Sequence, residues 1–397
     1  MTVIDLSNFL AGPTVSMYLG DYGAEVIKVE RPDGGDELRG WGHAKDGFGL
    51  YFKVVNRNKR FVTADLRTPL GVDIVRRLVA RADVLVENYR PGTMEKWGLG
   101  WDVLSAIRPE LVMLRLSGYG QTGPHRDKPA FGTALEGYAG AVYISGYADR
   151  APLLPSFGLS DASAGLMGAF LALAALQGRA RNGGRGQVID LALYETTLTM
   201  LGPLVVEHDQ LGIVQERLGS RAPWVAPRNV YRARDGRHVA LSASSQATFA
   251  RLCAALEVPA LAQDPRFADN RARIAHVDAL DAALQQAIAR FDHDELLRRL
   301  DAAQAVVGPV QSAADLAADP HLAARESIVA VHDDDLGGPL RMQNVVGRLA
   351  ATPGRIRHTA RPAGHDNHAV LVEQLGFDPA ALAAAGLHAE PPQGDAC

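Results

Sequence analysis

The chain has 397 residues, 47% of them hydrophobic and 22% charged, with a net charge of −4 and both signs dispersed. This is the make-up of a globular protein with ample core and room for two domains, and it offers no general basic surface to nucleic acid or to a membrane. Two cysteines, Cys253 and Cys397, are too few and too far apart for a disulfide framework, so a cytoplasmic setting is expected, and no targeting segment is expected ahead of the first strand.

Strand-like and helix-like stretches alternate over the first two hundred residues. Val3–Leu6, Ala24–Glu30, Phe61–Leu66, Asp83–Glu87, Leu111–Ser117 and Gln187–Leu193 read as strands. Between them, Pro13–Tyr22, Pro69–Arg81, Leu104–Arg108 and a run after Asp161 read as helices, with another from Tyr194. Such alternation predicts a parallel sheet with crossover helices and a ligand at the carboxyl ends of the strands. Glu207–Ala226 is polar and rich in turn residues, which reads as a connector. A hairpin over Asn229–Ser242 turns at Asp235-Gly236, and helices follow at Gln246–Leu256 and Val277–Phe291. A third helix begins with a capping box at Asp292 and Glu295. From about 323 the chain holds a strand pair and a helix near Asn367–Leu375, started by Gly364 and capped by Asp366, and Ala385–Cys397 reads as a frayed tail. The domains predicted are 1–205 with 323–397 as one large unit, 206–226 as connector and 227–322 as a smaller α+β domain.

Chemistry concentrates at Asp161. It is the only charged residue of DASAGLMGAFLALAAL (161–176), where fifteen small or apolar residues follow it. A carboxylate opening such a helix faces the positive end of its dipole and unpaired N–H groups, which favour the ionised form. Ser163, Ala164, Gly165, Gly168 and Ala169 leave space for a substrate or another backbone. An ionised, poorly solvated carboxylate beside open space suits an aspartyl nucleophile, although an ordinary helix cap has the same local pattern. The run is too short and too rich in Ala and Gly to cross a bilayer comfortably, and reads as a core helix.

Other strings carry less. Gly118-Tyr-Gly-Gln-Thr-Gly123 follows a strand but leads into the loop Pro124-His125-Arg126-Asp127, not a helix, so a nicotinamide site is disfavoured. His365 and His368 lack a third ligand, and no metal is expected. Lys28, Arg31, Arg67, Arg90 and Lys96 recur just after strands, where they can meet phosphate groups, with Tyr89 available to stack on a base.

Taken together and in order, these strings resemble the class III CoA-transferase family, typified by formyl-CoA transferase and carnitine CoA-transferase. The resembling pieces include Asp5–Pro13, Leu19–Pro32, Gly35–Trp41, Asn56–Arg60, Ala64–Arg67, Val86–Met94, Gly118–Pro124, Arg185–Leu191 and Gly364–Leu375. The resemblance implies an α/β fold, with a Rossmann-like large domain on a parallel sheet plus a smaller α+β domain. It also implies a homodimer of interlocked rings. Asp161 matches the family's catalytic aspartate, which exchanges CoA between an acyl-CoA and a free carboxylic acid. The route is an aspartyl–acyl anhydride and then an aspartyl–CoA thioester. CoA contacts carry over to Arg31, Leu66, Arg67, Asn88, Tyr89 and Lys96. CoA thioester is the substrate, and no permanently bound cofactor is implied.

Two departures matter. The polyglycine loop of formyl-CoA transferase is missing, and Gly219–Trp224 falls in its region. Ala130-Phe131-Gly132 also replaces the lysine, tyrosine and glutamate found there, which argues against a formyl/oxalate pair. The racemases of 2-methylacyl-CoA in the same family use a histidine where Phe131 stands, and Asp161 alone cannot serve both faces of a carbon. A transferase is therefore expected over a racemase or a non-catalytic acyl-CoA-binding protein. Arg221, Arg228 and the 125–132 loop are candidates for holding the acceptor carboxylate.

Overall fold

Aliphatic and β-branched runs form six strands: β1 (Thr2–Asp5), β2 (Glu25–Glu30), β3 (Lys59–Thr63), β4 (Val84–Glu87), β5 (Val112–Ser117) and β6 (Gln187–Ala192). In this computed structural model, which describes residues 1–388, they lie in the order β3-β2-β1-β4-β5-β6. Every neighbouring pair is parallel. Helices used below are α1 (Ala11–Asp21), α2 (Pro69–Val79), α3 (Gly132–Tyr138), α4 (Leu159–Gly178) and α5 (Leu193–Met200). Because successive side chains on a strand point to opposite faces, the sheet feeds two cores. Val3, Val26, Val84, Val86, Val112 and Leu114 meet Val15 and Leu19 of α1 and Ala164 and Ala169 of α4. Ile4, Ile27, Val62, Leu85 and Met113 meet Ile74, Val75 and Leu78 of α2. Strand order reverses between β1 and β4, so the crevice at their carboxyl ends is where an open α/β sheet takes its ligand.

Helices α1 and α4 touch closely because α4 carries glycine where they meet. A Cβ on Gly165 would lie 2.5 Å from Cγ2 of Thr14, and one on Gly168 would lie 2.7 Å from Cγ2 of Val15. Ser163, Ala164, Ala169, Ala172 and Ala175 are buried on the same helix. With its 3₁₀ extension it covers Leu159–Asn182, 24 residues, and among the described residues it is one helix long and apolar enough to cross a membrane. The expectation that the run is too short for that is therefore wrong. Its packing against α1 and the sheet is that of a core helix.

The chain divides into two compact units. One comprises Met1–Ala141, Leu154–Leu204 and the chain from Ala323, and the other Val142–Leu153 and Val205–Leu322. In the second, Arg228–Arg232 and His238–Ser242 pair antiparallel across the Asp235-Gly236 turn, where Gly236 has φ 87°, and Val307–Pro309 adds a third strand. Its core holds Phe249, Leu252, Cys253, Phe267, Leu280, Leu284, Leu296 and Leu300. A helix, Leu204–Leu211, occupies part of the stretch that reads as a connector. The capping box at Asp292 does not form. Asp292 instead pairs with Arg234 at 2.6 Å, and the helix starts at His293 without a side-chain cap.

In the first unit, Ile328–Asp333 and Gly338–Gln343 pair antiparallel. The final predicted helix is a π-helical segment, His368–Gln374. Asp366 caps no helix. It accepts the N–H of Phe61 at 2.8 Å, as Asn367 accepts that of Thr63, so both carry on the edge of β3. Leu387 is buried in the α2-side core, contrary to a tail frayed from Ala385. Cys397 and the rest of the tail lie outside the described residues.

Replacing Gly165 with Val forces α1 and α4 apart. Urea unfolding should show a stability loss of about 1–3 kcal/mol, with helix content little changed in the folded protein.

Candidate active site

The loops at the reversal point are fixed from below by buried charge. Asp5, at the end of β1, pairs with Lys59 at 3.0 Å and accepts hydrogen bonds from the hydroxyls of Ser7 and Ser16. Burial pushes its carboxyl up, but Lys59, Lys28 and the two hydroxyls outweigh burial and hold it well below the usual carboxylate range. Burial and the charge of Lys28 together push Lys59 down to about 8, against the pull of Asp5. Lys28 pairs with Asp36 at 2.9 Å and donates to the carbonyl of Ser7 at 2.7 Å. Lys28 is thus fully buried and engaged, which removes it from the cations expected to meet phosphate. Asp36 in turn accepts the N–H groups of Phe9 and Leu38, each at 3.0 Å. Phe9 sits at φ 63°, a left-handed conformation costly for a residue with a ring and maintained by this clamp.

The two loops also bind each other. Asn88 accepts the N–H of Asn8 at 2.8 Å and donates to its carbonyl at 2.7 Å. Next to it, Tyr89 stacks edge-on against Trp97, with ring centroids 4.9 Å apart. Burial pushes the Tyr89 hydroxyl up to about 12, so it stays neutral. Beneath, Glu87 accepts the N–H of Tyr89 and pairs with Arg115 at 2.7 Å.

Two adjoining clefts open here and share Asn8, Glu37 and Tyr89 in their walls. The smaller, about 180 Å³, gathers Arg31, Leu66, Arg67, Tyr89 and Trp97. Arg67 forms an exposed pair with Asp65 at 2.8 Å, and Arg31 one with Glu37 at 3.3 Å. Exposed pairs of this kind are worth little and can be exchanged for a phosphate. The larger, about 370 Å³, is lined by Phe9, Asn88, Arg90, Arg126, Lys128, Phe131, Gly132 and Asp161, among others. Five of the six predicted CoA contacts therefore line one cleft or the other. Lys96, exposed at the end of the short helix Thr93–Lys96, lines neither. Trp97, Phe9 and Phe131 were not among the predicted contacts. Aromatics beside turn residues gave no periodic signal to single them out.

Asp161 is the third residue of α4, which begins at Leu159 behind Gly158, two residues earlier than the sequence pattern suggests. Its carboxylate has room because two neighbours lack a side chain. A Cβ on Gly132 would lie 2.4 Å from Oδ2 of Asp161, and one on Gly158 would lie 3.1 Å from it. The ionised state is not held as the helix dipole alone predicts. Burial first, and then the negative charge of Glu136, push the Asp161 carboxyl up to about 6. At neutral pH the group is still mostly ionised, but a carboxylate of higher basicity is a better nucleophile. The start of α4 is tied to α3 and α5: Ser160 donates its N–H to Glu136 at 3.2 Å, and the hydroxyls of Ser160 and Ser163 pair with those of Thr197 and Thr196.

Residues 1–367 match the model of CoA-transferase family III. The chain belongs to this family. It is an enzyme, a class III CoA-transferase. Over 376 residues it is 43% identical to the succinyl-CoA–D-citramalate CoA-transferase of Chloroflexus aurantiacus, covering 94% of this chain and 93% of that one. The beta subunit of succinyl-CoA–L-malate CoA-transferase from the same organism is 41% identical, with 94% and 93% covered. A crystal structure of a CAIB/BAIF family protein from Brucella suis superposes with a TM-score of 0.83 at 32% identity, covering 94% of this chain and 98% of that one. The fold of this CoA-transferase is thus shared with a solved CAIB/BAIF family protein.

In the second unit, the guanidinium of Arg221 is held by Asp281 at 2.6 Å and Asp278 at 2.7 Å. It is therefore committed to protein carboxylates, against the expectation that it receives an acceptor acid. Arg228 donates to the carbonyl of Ser220.

The raised pKa of Asp161 has a consequence for folding. The native chain holds this proton more tightly than the unfolded one, so the group's contribution is present below about pH 4 and lost as pH rises through about 6. Asp161→Asn should therefore melt higher than the parent at pH 8, by on the order of 1 kcal/mol, and the gap should close toward pH 4 in scanning calorimetry.

Proposed function

We propose that this CoA-transferase moves CoA from a dicarboxylic acyl-CoA such as succinyl-CoA to a free hydroxydicarboxylic acid, with Asp161 as the covalent relay. The observation that carries the reading is the Asp161 carboxylate itself. It is largely buried and accepts no hydrogen bond among the described residues, and it stands in the wall of a cleft that adjoins the Arg31–Arg67–Tyr89 cleft. Such a group is short of stabilising partners until it reacts.

The steps follow from that placement. An Oδ of Asp161 attacks the thioester carbonyl carbon, the C–S bond breaks, and CoA leaves as thiolate with an acyl–aspartyl anhydride behind it. The thiolate then attacks the Asp161 carbonyl carbon and the donor acid departs as carboxylate, leaving an aspartyl–CoA thioester. An acceptor carboxylate attacks that thioester, CoA is displaced again, and its thiolate takes the new acyl group from the anhydride and frees Asp161. No net proton is consumed.

For the CoA moiety we assign Arg31, Leu66, Arg67 and Tyr89 in the smaller cleft and Asn88 at the junction, with Lys96 as a peripheral cation for phosphate. Arg126 and Lys128, both exposed on the larger cleft's rim, supply positive charge for the second carboxylate of a dicarboxylic acid. The acceptors named for the Chloroflexus relatives, D-citramalate and L-malate, are acids of that kind. Phe131 gives no second acid/base, which supports transfer over racemisation.

We also propose that residues 1–205, apart from Val142–Leu153 of the second unit, and the return from 323 act as the CoA-binding domain, that 227–322 act as the smaller one, and that the enzyme works as an interlocked homodimer. Leu166, Phe170 and Leu173, spaced along one face of α4 and more than half exposed, support a covering partner.

Incubating the enzyme with succinyl-CoA and quenching with hydroxylamine should convert Asp161 to its hydroxamate, located by peptide mass spectrometry, and Asp161→Ala should abolish transfer. Strictly sequential kinetics with an unmodified Asp161 would end the proposal. In a separate measurement, Arg126→Ala should raise KM for a dicarboxylic acceptor about tenfold or more while barely changing that for a monocarboxylic acid. An equal rise for both would remove Arg126 from acceptor recognition.

A further inference from the structure

Glu136 is the group that the covalent route leaves unused. It is 2% exposed, and no cation among the described residues forms an ion pair with it. An isolated buried carboxylate is costly and is ordinarily neutralised or paired. Its placement is specific. Gly132 and Glu136 stand four residues apart on α3 and so share one face of that helix. Gly132 is the residue whose absent side chain makes room for Oδ2 of Asp161. Glu136, one turn on, turns its Oε1 to the amide of Ser160, immediately before Asp161. The same face of α3 thus clears space for the nucleophile and clamps the backbone that presents it.

We infer that Glu136 is a positioning residue for the transfer reaction, holding the Ser160 amide so that Asp161 projects into the cleft and using its uncompensated negative charge to raise that carboxylate's nucleophilic strength. The inference rests on the reading of Asp161 as the nucleophile. When an Oδ of Asp161 bonds to the thioester carbon and the C–S bond breaks, the negative charge passes from Asp161 to the departing thiolate. Repulsion by Glu136 is present before that step and relieved after it, so it favours acylation. The upward shift of Asp161 is in keeping with this arrangement.

Other groups facing Asp161 do not supply the same effect. Tyr51, from the helix Leu50–Val55, is neutral, and its hydroxyl is pushed up by burial and by the charge of Asp161. Arg90, Arg126, Lys128 and Glu37 line the same cleft, but burial and Glu136 are the influences that shift Asp161. Thr196 and Thr197 of α5 bring only hydroxyls to the start of α4.

The test is Glu136→Gln, which retains an oxygen for the Ser160 amide and removes the charge. Single-turnover acylation by succinyl-CoA is followed from pH 4.5 to 8 (a range of about two units around the Asp161 value). Removing the anion lowers the Asp161 pKa, so the acid limb of the profile should move to lower pH, and at pH 5 the fraction of its own plateau rate that the variant keeps should be about twofold or more that of the parent. The plateau itself should fall. Glu136→Ala, which also frees the amide, should lose more of the plateau than Glu136→Gln. An unmoved acid limb in a Glu136→Gln variant that melts like the parent overturns the assignment, whatever its plateau. Hydroxylamine trapping on the parent separates the two readings. With no hydroxamate at Asp161 the nucleophile reading fails, whereas a hydroxamate with an unmoved limb dismisses Glu136 alone.

Discussion

Four charged side chains with no access to solvent, Asp5, Lys28, Asp36 and Lys59, hold together the part of the sheet where strand order reverses. Two cations and two anions in such a place are stable only because each is paired and further hydrogen-bonded, by Ser7, Ser16, Asn56 and the carbonyl of Pro13. Their combined effect is geometric. Lys28 grips the backbone of the loop after β1 and Asp36 grips Phe9, so a segment that an apolar core would leave loose has one conformation. Losing any one partner would leave an uncompensated charge inside the protein, and the loop would lose its anchor at the same stroke.

The reactive edge of the fold works by the opposite means, through side chains that are missing. Gly165 and Gly168 bring α4 onto α1, and Gly132 and Gly158 leave a hollow into which the Asp161 carboxylate fits. A carboxyl group in a hollow walled by helices is poorly solvated, and its pKa rises for that reason. The fold therefore spends native stability on a group kept away from solvent and countercharge, as functional sites commonly do.

How much of this was legible in the sequence depends on what each residue's signal was. The strands β1 to β6 were readable to within a few residues, because a buried parallel strand is a run of Val, Ile and Leu whatever surrounds it. Asp161 stood out as a single acid ahead of fifteen small or apolar residues. The clamp was not readable: Lys28 stands near the carboxyl end of a strand, where a phosphate-binding lysine can sit, and only the fold brings Asp36 and Asp5 to it. Asp292 and Asp366 carried good local signals for helix caps, and tertiary partners, Arg234 and the amide of Phe61, claimed them instead. Helix α3 was missed because Gly132–Tyr138 is short and contains two glycines, and Glu136 was missed with it. A lone acid between Leu135 and Gly137 in an otherwise neutral stretch was the signal available.

The reciprocal hydrogen bonds between Asn8 and Asn88 have a bearing on kinetics. They join the loop after β1 to the loop after β4, the two banks of the crevice. Chain segments already tied in this way have little disorder left to surrender when a ligand arrives. A ligand entering the crevice there would meet loops already held in one arrangement, at a smaller cost in ordering than loose segments exact.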